Sequence, residues 1–156
     1  MKRVRSLLSL AASAVAVVAL AVPAQAVGTG TYVIRDLRGS GCLTPLGSGG
    51  LSPVVLKYDG ACTRWKVTNQ EDGDVQISPA DQPGCCLDIV PFPQAAVVPC
   101  GEGTFQHWRI ADFGPGSPAR IRNLDTGGCL TARNPEGPVV ALSCDESAYW
   151  RLEPAL

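Results

Sequence analysis

The chain has 156 residues, of which 17% are charged, with a formal net charge of −1 and a single histidine. A protein that neutralises phosphates carries a basic surplus and clustered Lys or Arg, so these singly scattered charges exclude nucleic acid as an expected partner. Seventeen glycines and thirteen prolines punctuate the chain too densely for amphipathic helices of ordinary length.

At the amino terminus Lys2, Arg3 and Arg5 precede an apolar run from Leu7 to Val22, and Pro23 leads into Ala24-Gln25-Ala26. Basic start, apolar middle and an A-x-A site together read as a secretory signal peptide. The run of 16 residues is shorter than the roughly 20 that a spanning helix needs, which argues against a membrane anchor. Residues 1–26 are therefore expected to be removed, leaving 27–156 as one exported domain with no membrane association. That part carries ten Lys+Arg against fourteen Asp+Glu, a net charge of −4.

Short β-prone runs follow in order: Thr31–Ile34, Pro53–Leu56, Trp65–Val67, Val75–Ile77, Val97-Val98, Trp108–Ile110, Arg120–Arg122 and Val139–Leu142. Turn residues separate them, as at Gly49-Gly50, Pro83-Gly84 and Gly127-Gly128. Three signals then recur with one period. Trp65, Trp108 and Trp150 stand 43 and 42 residues apart; Cys42-Leu43, Cys86-Leu87 and Cys129-Leu130 recur at 44 and 43; Ile34, Ile77 and Ile121 recur at 43 and 44. Each Trp closes a segment that opens with Val-Val. This is a triplication with repeats at about 31–67, 74–110 and 119–152, in which no unit buries its apolar face without its sisters. About four short strands per repeat predict a closed all-β fold. A propeller shares the period but needs at least four blades.

A large ring at the same position of every unit suits a shared threefold core. Trp65, Trp108 and Trp150 are expected there, with Ile34, Ile77, Ile121, Leu43, Leu87, Leu130, Val55, Val98 and Val140.

All seven cysteines follow the leader, and export places them where disulfides persist. Six give an early and a late member to each repeat, which selects Cys42–Cys62, Cys129–Cys144, and Cys100 paired with Cys86 or Cys85. Cys86 matches its sisters by the following Leu87, whereas Cys85 matches by its distance of eight from Ile77. Loops of this size stabilise by about 3 kcal/mol each on loop-closure entropy. No C-x-x-C pair is present, so no metal site is expected.

Gly84-Cys85-Cys86-Leu87-Asp88-Ile89, then Val97-Val98-Pro99-Cys100 and Gln106-His107-Trp108, resembles the C-L-D … V … C … Q-x-W signature of ricin B-type (R-type) β-trefoil lectin domains. The resemblance spans Thr31 to about Leu152 and implies a β-trefoil with one disulfide per repeat and the Trp packed inside. It also implies a sugar site built from a carboxylate after Cys-Leu, an aromatic ring before the late Cys, and an Asn-Gln pair leading into the Trp. An ionised acceptor makes the stronger hydrogen bonds to sugar hydroxyls. In this chain Asp88 matches the carboxylate and Gln106 the Gln, while Val98 stands at the ring position and Phe105 at the Asn position. Phe92 in the loop Val90-Pro91-Phe92-Pro93, and His107, are the remaining candidates of one carbohydrate site in the second repeat. Thr44 and Thr131 replace the carboxylate in the other two repeats, and Tyr58 lies near the ring position of the first.

A glycan or polysaccharide is thus the expected partner of a secreted, monomeric, lectin-like module. Neither G-x-S-x-G nor H-E-x-x-H is present, so no enzyme activity and no cofactor are expected. The alternative is a secreted β-trefoil that inhibits a protease or binds another protein through the Pro-rich loop from Ile89 to Ala96, since proline lowers the ordering cost of a bound loop. Amino-terminal sequencing of the exported protein should begin at Val27; retention of Met1 would contradict the leader assignment.

Overall fold

The computed structural model describes residues 27–38, 41–101, 105–112, 114, 117–145 and 148–156, apart from the Asp72 side chain; the leader and its cleavage site lie outside them. Among the described residues twelve strands alternate with turns. They are β1 (Gly30–Asp36), β2 (Cys42–Pro45), β3 (Ser52–Lys57), β4 (Arg64–Asn69), β5 (Val75–Pro79), β6 (Cys85–Ile89), β7 (Ala95–Pro99), β8 (Trp108–Ala111), β9 (Ala119–Asn123), β10 (Cys129–Ala132), β11 (Val139–Leu142) and β12 (Tyr149–Pro154). One turn of 3-10 helix, Glu71–Gly73, precedes β5.

Six strands close on themselves. β1 pairs β4, β4 pairs β5, β5 pairs β8, β8 pairs β9, β9 pairs β12 and β12 returns to β1, all antiparallel. Closure removes the open edges that an antiparallel sheet otherwise exposes. The other six form hairpins β2–β3, β6–β7 and β10–β11, one per repeat. The hairpins meet one another through β3–β7 pairing and the bridges Val55↔Pro138 and Gln94↔Val140. Barrel, three hairpins and a threefold sequence repeat make this a β-trefoil.

Each tryptophan joins the two parts. Trp65, Trp108 and Trp150 are at most 1% exposed and stand on the fourth strand of their repeats. Their indole N–H groups donate to the carbonyls of Leu43, Leu87 and Leu130 at 2.9, 2.9 and 2.8 Å. Those leucines lie on the second strand, so one ring fills the core and also ties hairpin to barrel. Ile34, Ile77 and Ile121 pack in the same cluster.

The valine pairs require a correction. Val54, Val97 and Val139, not the expected Val55, Val98 and Val140, lie in the central cluster. Neighbouring residues of a strand point to opposite faces, so only one of each pair reaches the barrel axis. Val55 and Val140 are covered outside that cluster, and Val98 is partly exposed.

The disulfides Cys42–Cys62, Cys86–Cys100 and Cys129–Cys144 each stay within one repeat, with Cα–Cα distances of 5.3, 4.9 and 5.0 Å. The alternation that divides the valines also divides the vicinal cysteines. Cys86 is fully buried and bonded, while Cys85, partly exposed, keeps a free thiol and packs against the core.

Replacing Trp65, Trp108 or Trp150 by Phe removes the donor and leaves a buried carbonyl unpaired. Each change should cost about 2–4 kcal/mol in urea unfolding with disulfides intact, the three values agreeing within about 1 kcal/mol. A tryptophan whose removal costs nothing would not be holding a hairpin.

Candidate functional site

Asp88 lies on β6 opposite Ala96 of β7 and is 0% exposed. One carboxylate oxygen, Oδ1, accepts the Ile89 N–H at 2.6 Å; the other, Oδ2, has no hydrogen-bond partner. The sister repeats show what the position needs for folding alone. Thr44 and Thr131 stand there, and their hydroxyls donate to the carbonyls of Cys42 and Cys129 at 3.2 and 3.1 Å. A carboxylate has no proton to donate, so Asp88 cannot make that bond. A buried polar atom without a partner costs about 1–3 kcal/mol and is uncommon in folded proteins.

Immediately after β6 the chain turns through Val90-Pro91-Phe92-Pro93-Gln94. Two backbone bonds hold this connection: the Gln94 N–H donates to the Pro91 carbonyl at 2.7 Å, and the Ala141 N–H on β11 donates to the Pro93 carbonyl at 2.8 Å. Phe92, at 62% exposure, stands out from it.

The four candidates of the second repeat divide into two groups. Asp88 and Phe92 belong to the turn end of the β6–β7 hairpin. Gln106 is bonded to the open end at Pro99, three residues along β7 from Ala96, or roughly 10 Å at the rise of a strand. Its side chain is buried and spans a backbone gap: Nε2 donates to the Pro99 carbonyl at 3.0 Å, and Oε1 accepts the Gly101 N–H at 2.8 Å. Gln106 therefore staples the loop that carries Cys100. His107 projects into solvent beside Asp125 of the third repeat, with Nδ1 3.6 Å from its Oδ2. Val98 brings no ring to the site.

A second concavity lies between the first and third repeats, away from these residues. It is a cleft of about 220 Å³ lined by Asp36, Arg38, Leu56, Tyr58 and the segment Ala132–Pro135. Asp36, 8% exposed, accepts the Arg38 N–H through Oδ1 at 3.2 Å. The Arg38 guanidinium lies 3.9 Å from that oxygen and donates from Nη2 to the Ala132 carbonyl at 2.6 Å, crossing from one repeat to the other. The hydroxyl end of the Tyr58 ring packs against the chain at Gly41, where an added Cβ would fall 2.7 Å from the ring. Partial desolvation, and after it the Asp36 carboxylate, raises the half-exposed Tyr58 phenol above its ordinary pKa. Sequence reading reached Tyr58 but not Asp36 or Arg38. Asp36 occupies the place of Asn123, two residues after the repeated Ile, and that correspondence was the available signal.

No family model matches the chain, and no curated protein matches it by sequence. Solved structures do match by fold. ThreeFoil, a designed 3-fold symmetric protein, superposes with a TM-score of 0.69 at 20% identity, covering 81% of this chain and 99% of that one. A proteinase inhibitor from Coprinopsis cinerea gives 0.66 at 11% identity, covering 83% and 99%. A mosquitocidal holotoxin gives 0.73 at 16% identity over 83% of this chain, which spans only 18% of the toxin's length. At these identities the likeness is one of fold: the chain is similar in fold to designed, inhibitory and toxin-borne trefoils.

Asp88→Thr places in the second repeat the residue that the first and third already use. Urea unfolding should show it more stable than wild type by about 1–3 kcal/mol. A destabilised variant would mean that Asp88 has a structural role its sisters do not reveal.

Proposed function

We propose that the protein is a secreted carbohydrate-binding module whose second repeat engages a glycan through Asp88. The observation that carries this reading is the unpartnered Oδ2 of Asp88, at a position where Thr44 and Thr131 meet every structural need. A carboxylate acceptor suits a pair of sugar hydroxyls, and the second repeat is where the lectin-like signature is fullest. Because Asp88 is covered, binding requires the chain around it to move, and the exposed Phe92 is the aromatic surface nearest in sequence that then meets the sugar. Gln106 supports the site from a distance by fixing the Cys100 loop, and His107 takes no direct part. Three disulfides suit an oxidising, extracellular setting.

The energetics point to low affinity. One site that must open and lacks a fixed stacking ring should bind with a dissociation constant on the order of 1 mM, about −4 kcal/mol. A glycan array at high protein density, followed by titration of the best ligand, should give this value for wild type and at least a tenfold loss of affinity for that ligand in Asp88→Thr. Undiminished binding by that variant would place the site elsewhere.

Phe92 favours a second reading. It stands exposed between two prolines on a connection held by backbone hydrogen bonds at both ends, and a pre-ordered loop of this kind suits insertion into a protease cleft. Under this reading the protein inhibits a serine or cysteine protease, Phe92→Ala abolishes inhibition, and Asp88→Thr does not.

A further inference from the structure

We infer that the cleft between the first and third repeats is a second carbohydrate site, one that takes a neutral hexose unit on Tyr58 with Asp36 and Arg38 as its polar contacts. The inference rests on the proposed function for its ligand class, and on different residues for everything else. None of its lining residues belongs to the second repeat.

The ligand class follows from what the cleft offers. Its floor is apolar, made by Leu56 and Ala132, and Tyr58 stands beside it as an aromatic surface. Around that floor stand one carboxylate, the guanidinium groups of Arg38 and Arg133, the Asn134 amide and the phenol hydroxyl, so the cleft presents both acceptors and donors. Asp36 offsets Arg38 in charge, and Glu136, beside Tyr58 in the adjoining hollow, offsets Arg133. A phosphate or carboxylate ligand would meet Asp36, and an ammonium ligand would meet Arg38; a ring of hydroxyls both donates and accepts, and it meets neither penalty. The apolar face of a hexose also suits an aromatic surface, which carries a large hydrophobic area at small entropic cost.

The position of Tyr58 is built into the fold. The Asp36 N–H donates to the Gly41 carbonyl at 2.9 Å, which closes the β1–β2 turn and places Asp36 beside the cleft. Gly41 has no side chain, and the Tyr58 ring fills the space a Cβ would take. At the place of Asp36 the third repeat has Asn123, whose Oδ1 accepts the Thr126 N–H at 3.0 Å. A neutral amide therefore suffices to hold the turn, and Asp36→Asn is a change that a sister repeat already tolerates.

The test uses the complete, disulfide-bonded protein and a panel of methyl glycosides of neutral hexoses, followed by saturation-transfer NMR. Asp88→Thr protein should still show transfer to at least one glycoside. Adding Tyr58→Ala to it should abolish that signal, and adding Asp36→Asn should weaken it at least tenfold. Gly41→Ala, which displaces the ring without removing it, should weaken it as well. Loss of all binding in Asp88→Thr alone would overturn the second site while leaving the proposed function intact. Conversely, full loss in Tyr58→Ala with retention in Asp88→Thr would uphold the second site and overturn the second-repeat site. Unchanged binding in the Asp88→Thr/Tyr58→Ala double variant, or a wild-type protein that binds no member of the panel, would overturn the inference. Should Tyr58→Ala fail to fold, Asp36→Asn decides the question by itself.

Discussion

The structure depends on one contact made three times: an indole N–H on the last strand of a repeat donating to a leucine carbonyl on its second strand. A trefoil has two parts, a barrel and a set of hairpins, and hydrogen bonds within each part do not by themselves fix one against the other. Pairing of Arg35 with Cys42 and of Arg122 with Cys129 joins β1 to β2 and β9 to β10; the tryptophan makes the join in all three repeats, because its ring fills the space between the parts while its one polar atom finds a backbone carbonyl. The leucine that accepts the bond is preceded by a cysteine whose disulfide ties the hairpin to the approach to the same tryptophan. Covalent and non-covalent links thus act on the same few residues of each unit.

Threefold repetition supplies an internal reference for what is structural. Where the repeats agree, as at the Trp, Cys-Leu and Ile positions, folding accounts for the residue. Where one repeat departs at a buried position, the sisters show the cheaper solution. Asp88 against Thr44 and Thr131 is such a departure; at the place of Asp36 the sisters carry Pro79 and Asn123, so there the comparison rests on Asn123 alone. Asp88 puts a carboxylate where its sisters have a hydroxyl that donates, and Asp36 puts one where the third repeat has an amide that donates. The proposed binding surfaces follow from these two departures.

Much of this was legible in the sequence, because threefold spacing is a signal that composition does not imitate. The tryptophans, the Cys-Leu pairs and the disulfide partners came from it, apart from the choice between Cys85 and Cys86, which the burial of Cys86 decides. The strands β2, β6 and β10 did not stand out as β-prone runs, since Cys-Leu-Thr-Pro and its relatives are short and carry little β-branched character; their place is fixed by tertiary pairing, as is that of β12, where charged residues interrupt the run after Tyr149-Trp150. The facing of the valine pairs was misread because two equal side chains give no hint of which one meets the axis. Asp88, Gln106 and His107 are close in the signature but not in space. A hairpin about four residues long puts its two ends roughly 10 Å apart, so a motif continuous in sequence is divided between its turn and its open end.

Hydrogen exchange of the three indole N–H groups, followed by NMR under native conditions, tests the central claim most directly. If each indole closes its hairpin onto the barrel, none can exchange without opening the fold, and all three should show the same free energy of opening, equal to that of global unfolding. An indole that exchanges far faster than its sisters would show that its repeat opens independently, and the single cooperative clamp would be contradicted.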